Sequence, residues 1–518
     1  MEIFRRKSIA EVLDHARESA HQVGLRKGLT VRDLTALGIA AIIGAGVFST
    51  LGVASAHGGP AVIFLFVFTG IACACTAFAY AEFASIVPVA GSAYTYAYVA
   101  FGELTAWIIG WALIMEYAVG NVIVAESWSN YLVTFLASFD LQLPGWARGA
   151  PLIAGSHLQF ALDIPAIIVT LLVTALVYIG ITESIYVNNV MVAIKLVVIL
   201  LVIVVGARYV QVSNWSPFMP HGIRGILDGV PAVFFAYIGF DAISTTAEEC
   251  RAPERDLPRG ILWSLAISTS LYIVIALVLT GVMKYDQLGV GDPLALVFNS
   301  VGRKWLASVI AFSAVVAMTS VLLVFQLGQP RIWLAMSRDG LLPKRFARIH
   351  PRYHTPTYAT IVTAVAVIIP ALFIPTREIL NLTSMGTLLA FVLVCGGVLR
   401  LQNDPQRPAG KFRTPYINSR YFLPVVLAGI VVVAAVYGRD WFAHPRIPMY
   451  FYAAFFVFVM IVAVRRNLSL IPTLGLLFSA FMMAQIPLSS WIGFGLWMAV
   501  GLAVYFCFGV RHSVMAAS

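Results

Sequence analysis

The sequence predicts an all-α integral membrane protein: an inverted five-plus-five helix repeat with discontinuous first and sixth helices, extended to about fourteen transmembrane helices. Three observations predict it. Of 518 residues, 60% are hydrophobic and only 11% charged, against roughly 25% charged in soluble domains, and the mean hydropathy is +0.88. Fourteen apolar runs, separated by charged or proline-rich breaks, are each long enough for the ~17–25 residues of a spanning helix. Two of them, 38–48 (GIAAIIGAGVF) and 233–242 (VFFAYIGFDA), are broken by glycine at membrane depth.

The elements follow in chain order. Residues 1–33 read as a charged, amphipathic N-terminal segment with no cleavable apolar region. The runs are 34–57, 61–87, 102–128, 162–182, 187–208, 225–247, 260–283, 305–330, 356–374, 379–400, 422–438, 448–464, 468–486 and 490–510. Residues 34–400 form a ten-helix core. Residues 401–421, rich in proline and charge, form a linker, and 422–518 carry a four-helix C-terminal segment. With five helices in each half, the glycine-broken runs are the first of each half, and because five is odd the second half is inverted. With the N-terminus inside, 24 of the 34 Lys and Arg fall on the cytoplasmic side and nine outside, with Lys195 left in the membrane. Both ends are therefore expected in the cytoplasm of a cell membrane, and the +10 net charge needs no nucleic acid, since it is spread along membrane edges.

The pattern excludes several classes. The five cysteines show no metal-type spacing and read as membrane thiols, so neither metal nor cofactor is implied. The nine histidines are scattered, with no HExxH motif or nucleophile elbow, which argues against an enzyme. Nothing in the sequence sets an oligomeric state.

An opened helix in a bilayer leaves N–H and C=O groups unpaired at several kcal/mol each, unless they are buried in protein or line a cavity. A pair of such breaks in corresponding halves points to a carrier's midplane site. An amino acid suits it, offering a carboxylate and an ammonium to the two kinds of free backbone group. The amides of Gly44, Ala45 and Gly46 lie where a new half-helix begins, whose positive dipole end favours the carboxylate. The competing reading is that these glycines only allow close helix packing. Lys195 is read as the only Lys or Arg deep inside a helix; a buried ammonium is a functional candidate by default, and desolvation eases its deprotonation. The alternative is a permanently charged tether between the fifth helix and carbonyls of the first and eighth. Glu248, Glu249, Arg251, Arg255, Asp256 and Arg259 read as a solvated salt-bridge loop in preference to a gate latch.

Four stretches are recognisable together: Gly38–Phe48, Ala81–Tyr96 (AEFASIVPVAGSAYTY), Phe234–Arg259 (FFAYIGFDAISTTAEECRAPERDLPR) and Arg331–Pro343 (RIWLAMSRDGLLP). They resemble the amino acid–polyamine–organocation superfamily, and within it the cationic amino acid transporter family, especially bacterial-type permeases. The resemblance covers roughly residues 30–400 and 468–512 and implies alternating-access transport of L-amino acids, often with protons. Residue by residue it implies that carbonyls of Ile42, Phe235, Ala236 and Ile238 accept from the substrate ammonium, with Ile43 in the same opened stretch and Asp241 nearest the substrate. Where relatives often carry Thr, this chain has Ala45. Lys195 matches the place of a coupling cation, and Glu116 a third-helix carboxylate that steadies the first helix or relays a proton. Glu82, Glu126 and Asp241 are expected to make mainly scaffold hydrogen bonds. Phe325 matches an eighth-helix position that limits side-chain size, which favours a small neutral amino acid, while Gln326 and Gln329 could admit a polar one. The expected activity is proton-coupled symport of such an amino acid. The alternatives are an exchanger, a cationic amino acid or polyamine carrier with an acidic pocket floor that the sequence does not locate, and, outside transport, an amino acid receptor.

Overall fold

The computed structural model describes residues 5–9, 11–12, 25, 27–137, 139–147, 152–154, 157–159, 162–373, 376–402, 410–422, 424 and 447–517. Among them are nine helices long and apolar enough to cross a membrane, the first of which covers the first two runs, and three shorter apolar helices, Ile164–Ile179, Thr357–Leu372 and Leu470–Ala484. These account for every predicted run except the eleventh, 422–438, most of which lies outside the described residues.

Local chemistry explains where the helices start and stop. Thr30 and Asp33 form a capping box that opens the first helix, Val31–Ile42. Asp163 caps the fourth by accepting the Ala166 amide at 3.1 Å, with Pro165 in the first turn. The third helix (Glu103–Ala137) and the eighth (Lys304–Arg338) occupy corresponding places in the two halves and are both 35 residues long. At 1.5 Å per residue each is about 53 Å, well beyond the ~30 Å hydrocarbon layer, so both must tilt or project. They pack on each other, the third also on the tenth helix (Thr376–Gln402) and the eighth on the fifth (Ile181–Gly206).

The first helix packs mainly on the seventh, Pro253–Val282, and also touches the fifth and eighth. A Cβ on Gly38 would lie 2.5 Å from Ser264 Cβ, so that glycine does serve close packing. Around this core, large apolar side chains such as Phe64, Leu172, Tyr186 and Phe451 are exposed, as a lipid-facing surface requires. The C-terminal helices are fastened to the core. Trp107 and Trp111 donate to the Gly501 and Trp497 carbonyls at 2.8 and 2.9 Å. The described part of the linker lies against the second helix (Val62–Ile86), where the Thr414 amide donates to Glu82 at 3.0 Å, a scaffold bond. Residues 152–154 and 157–159 pair as a two-stranded antiparallel ribbon in the loop before the fourth helix.

Candidate functional site at the two helix breaks

The first break opens because Ile43 turns extended (φ −84°, ψ 95°) after Ile42. A π-helical turn, Gly46–Thr50, then restarts the helix toward Gly58. Among the described residues the amides of Gly44, Ala45 and Gly46 donate to no carbonyl. In the sixth segment, Val230–Phe235 ends in a turn over Ala236–Gly239, and a 3₁₀ stretch, Phe240–Glu249, follows. Gly239 has φ +122°, a region that excludes most side chains, and a Cβ there would press on Ala41.

The two breaks touch. A Cβ on Gly46 would lie 2.6 Å from Ala236 Cβ and closer still to its Cα, so only glycine lets the opened backbones meet. A Cβ on Gly44 would strike Val321 Cγ2 of the eighth helix. The glycines thus serve packing and open the helix together. The Tyr272 hydroxyl of the seventh helix joins both breaks, lying 2.6 Å from the Ile42 oxygen and 2.8 Å from the Ala236 oxygen. The Phe235 oxygen accepts the Ile238 amide at 3.3 Å.

Lys195 is fully buried. Its ammonium donates to the Ala40 and Ile43 carbonyls at 3.1 and 2.8 Å and to Ser320 Oγ at 2.9 Å. The contact with the eighth helix is therefore a hydroxyl and not the expected carbonyl. Nor is Lys195 the only cation inside a helix. Arg331 is fully buried within the eighth helix and forks onto Glu249 at 2.6 and 3.1 Å. Its guanidinium also reaches the Leu327 carbonyl, one position after the Gln326 carbonyl that Pro330 cannot serve. Glu249 is consequently no member of a solvated loop: it is buried, and its own carbonyl accepts the amides of Gly28 and Leu29 at 2.9 and 3.1 Å.

Glu116 is buried against the tenth helix beside Gly386. One oxygen each of Glu116 and Asp241 is buried without a hydrogen-bond partner, as are the hydroxyls of Tyr80 and Tyr117. The Phe325 ring lies 5.3 Å from that of Tyr117, and a Cβ on Gly120 would come within 2.8 Å of it. Gln329 is turned away to the Ile114 carbonyl at 3.2 Å, whereas both polar atoms of Gln326 are buried without a partner.

Sequence reasoning missed Tyr272, Ser320, Tyr80 and Tyr117. The available signal was a hydroxyl within an apolar run, as in the SLYIVIAL of the seventh helix, but such hydroxyls are numerous and most bond within their own helix.

A family profile described as amino acid permease matches residues 29–467, and one for the permease C-terminus matches 468–513. This chain belongs to the amino acid permease family. The permease is 38% identical to the methylthioribose transporter of Bacillus subtilis (strain 168) over 514 residues, 99% of each chain. It is 37% identical to the branched-chain amino acid permease BcaP of the same organism, covering 99% of this chain and 98% of that one. To the vacuolar cationic amino acid transporter 2 of Arabidopsis thaliana it is 39% identical over 414 residues, 78% of this chain and 63% of the relative. The permease is thus a multi-pass membrane transporter of amino acids rather than an enzyme, and its likeness to the amino acid–polyamine–organocation superfamily and its cationic amino acid transporters holds.

Proposed function

We propose that the permease moves a small neutral L-amino acid together with a proton by alternating access, through a cradle formed by the two breaks. The observation that carries this reading is the meeting of three unpaired amides (Gly44, Ala45, Gly46) with the carbonyls of Ile42 and Ala236 around one tyrosine hydroxyl. The amides take the carboxylate at a half-helix N-terminus. Tyr272 has a single proton and serves one carbonyl at a time, so the other is left to accept from the substrate ammonium, with the Ile238 carbonyl beside it. Phe325 and Tyr117 limit the side chain to a small one. Lys195 links the Ile43 carbonyl to the eighth helix, and losing or gaining its proton changes that link, which couples the first break to proton movement. The arginine and lysine content of the loops supports a cell membrane with both chain ends in the cytoplasm.

A second reading has its own observation. The unpaired oxygens of Glu116 and Asp241 would suit a cationic side chain, provided that Phe325 moves aside. Uptake of a labelled L-amino acid panel into proteoliposomes, with and without an inward proton gradient, separates the readings. Accumulation of alanine-sized substrates that collapses with an uncoupler supports proton symport. Saturable uptake of arginine or lysine alone would replace it with the cationic reading, and movement only against preloaded amino acid would make the permease an exchanger.

A further inference from the structure

The loop between the eighth and ninth helices concentrates basic charge. From 340 to 377 the chain has no Asp or Glu, yet Lys344, Arg345, Arg348 and Arg352 fall within nine residues. All four are exposed. None has a carboxylate within ion-pair reach among the described residues, and Arg352 only lies over the Tyr353 ring at 5.7 Å. Elsewhere on the same side Lys7, Arg331, Arg338 and Lys411 are each paired with an acid.

The loop is also held in shape. The Phe346 ring stacks on Trp333 at 5.0 Å and meets Tyr358 edge-on at 5.0 Å. The His350 amide donates to the Thr355 carbonyl at 2.9 Å, His350 Nδ1 accepts the Arg352 amide at 3.2 Å, and Thr355 donates to the Tyr178 carbonyl at 2.9 Å. Four unpaired cations are thus presented on a preorganised turn directly between two membrane helices. Aromatic side chains at the same level are those that favour the headgroup zone.

We propose that this loop binds the headgroups of anionic phospholipids of the cytoplasmic leaflet, the guanidinium groups forking onto phosphodiester oxygens. The occupant is a lipid because the cations stand at helix ends, where phosphates lie, and preorganisation removes the ordering penalty that a floppy basic loop would meet. The proposal rests on the orientation proposed above.

The test is native mass spectrometry of the full chain released from nanodiscs of four parts phosphatidylcholine to one part phosphatidylglycerol. Each cation near an anionic surface is worth roughly a fivefold preference, so the ratio of retained phosphatidylglycerol to phosphatidylcholine should exceed its bulk value by at least about tenfold and should fall as salt is raised. The variant K344Q/R345Q/R348Q/R352Q should return to the bulk ratio, whereas R465Q/R466Q at another helix end should keep the preference. Single glutamine variants, expected to lose severalfold each, serve if the quadruple one does not fold. Retention of the two lipids at their bulk ratio by the wild type, or an unchanged preference in the glutamine variants, overturns the proposal. Released protein exposes both faces, so this outcome does not depend on orientation, which trypsin cleavage of the loop from one side of sealed vesicles tests separately.

Discussion

The Tyr272 hydroxyl lies 2.6 Å from the Ile42 carbonyl oxygen and thereby ties the seventh helix to the break in the first. The same oxygen lies 2.8 Å from the Ala236 carbonyl, so one phenol group spans both opened helices and can satisfy only one of them at a time.

Tyr272→Phe removes that hydroxyl and leaves the ring, which packs against Phe66 and Tyr237. A net hydrogen bond of about 1 kcal/mol predicts substrate binding weaker by about fivefold, through loosening of the two breaks, in a protein of near-normal abundance. Calorimetric titration of the purified variant checks this, and unchanged affinity would reduce the tyrosine to filler.

Lys195→Arg keeps a cation but cannot release its proton near neutral pH. If Lys195 carries the coupling proton, the variant should still exchange preloaded amino acid yet no longer accumulate it along a proton gradient. Full gradient-driven accumulation would leave the lysine a fixed tether for the Ala40 and Ile43 carbonyls.

Gly44 and Gly46 should not be equivalent. A methyl group at Gly46 meets Ala236 backbone, whereas one at Gly44 meets the tip of Val321. Gly46→Ala is therefore expected to abolish binding, and Gly44→Ala to weaken it in a way that Val321→Ala partly restores. Equal losses in the two single variants, measured by substrate-induced thermal stabilisation, would contradict the packing of the breaks.

Arg331→Gln leaves Glu249 buried without its cation, a change worth on the order of 3–5 kcal/mol. The melting temperature should fall sharply, and adding Glu249→Gln should recover part of the loss. A single variant as stable as the parent would show that water reaches the pair.

The breaks were readable because glycine inside an apolar run has few other reasons to recur in both halves, and Lys195 because an ammonium in a helix stands out against its neighbours. Glu249 and Arg331 were misread for the converse reason: charges near a run's end look solvated in one dimension, and only the crossing of the sixth and eighth segments encloses them. Glu116 stands beside Gly386 of the tenth helix, a neighbour that the spacing of one helix does not reveal.

Composition and run length by themselves determined that this chain spans a membrane as helices, and its motifs assigned it to a permease family, because hydrocarbon permits little else for such segments. Tertiary structure alone decided that Tyr272 joins the breaks, that Gly46 rests on Ala236, and that Arg331 pairs with Glu249 in the interior. Those relations bring together residues tens to hundreds of positions apart. Hydropathy is a local property of each run, while the rotation of a helix about its axis, which selects the partner of every polar group, is set by packing between helices.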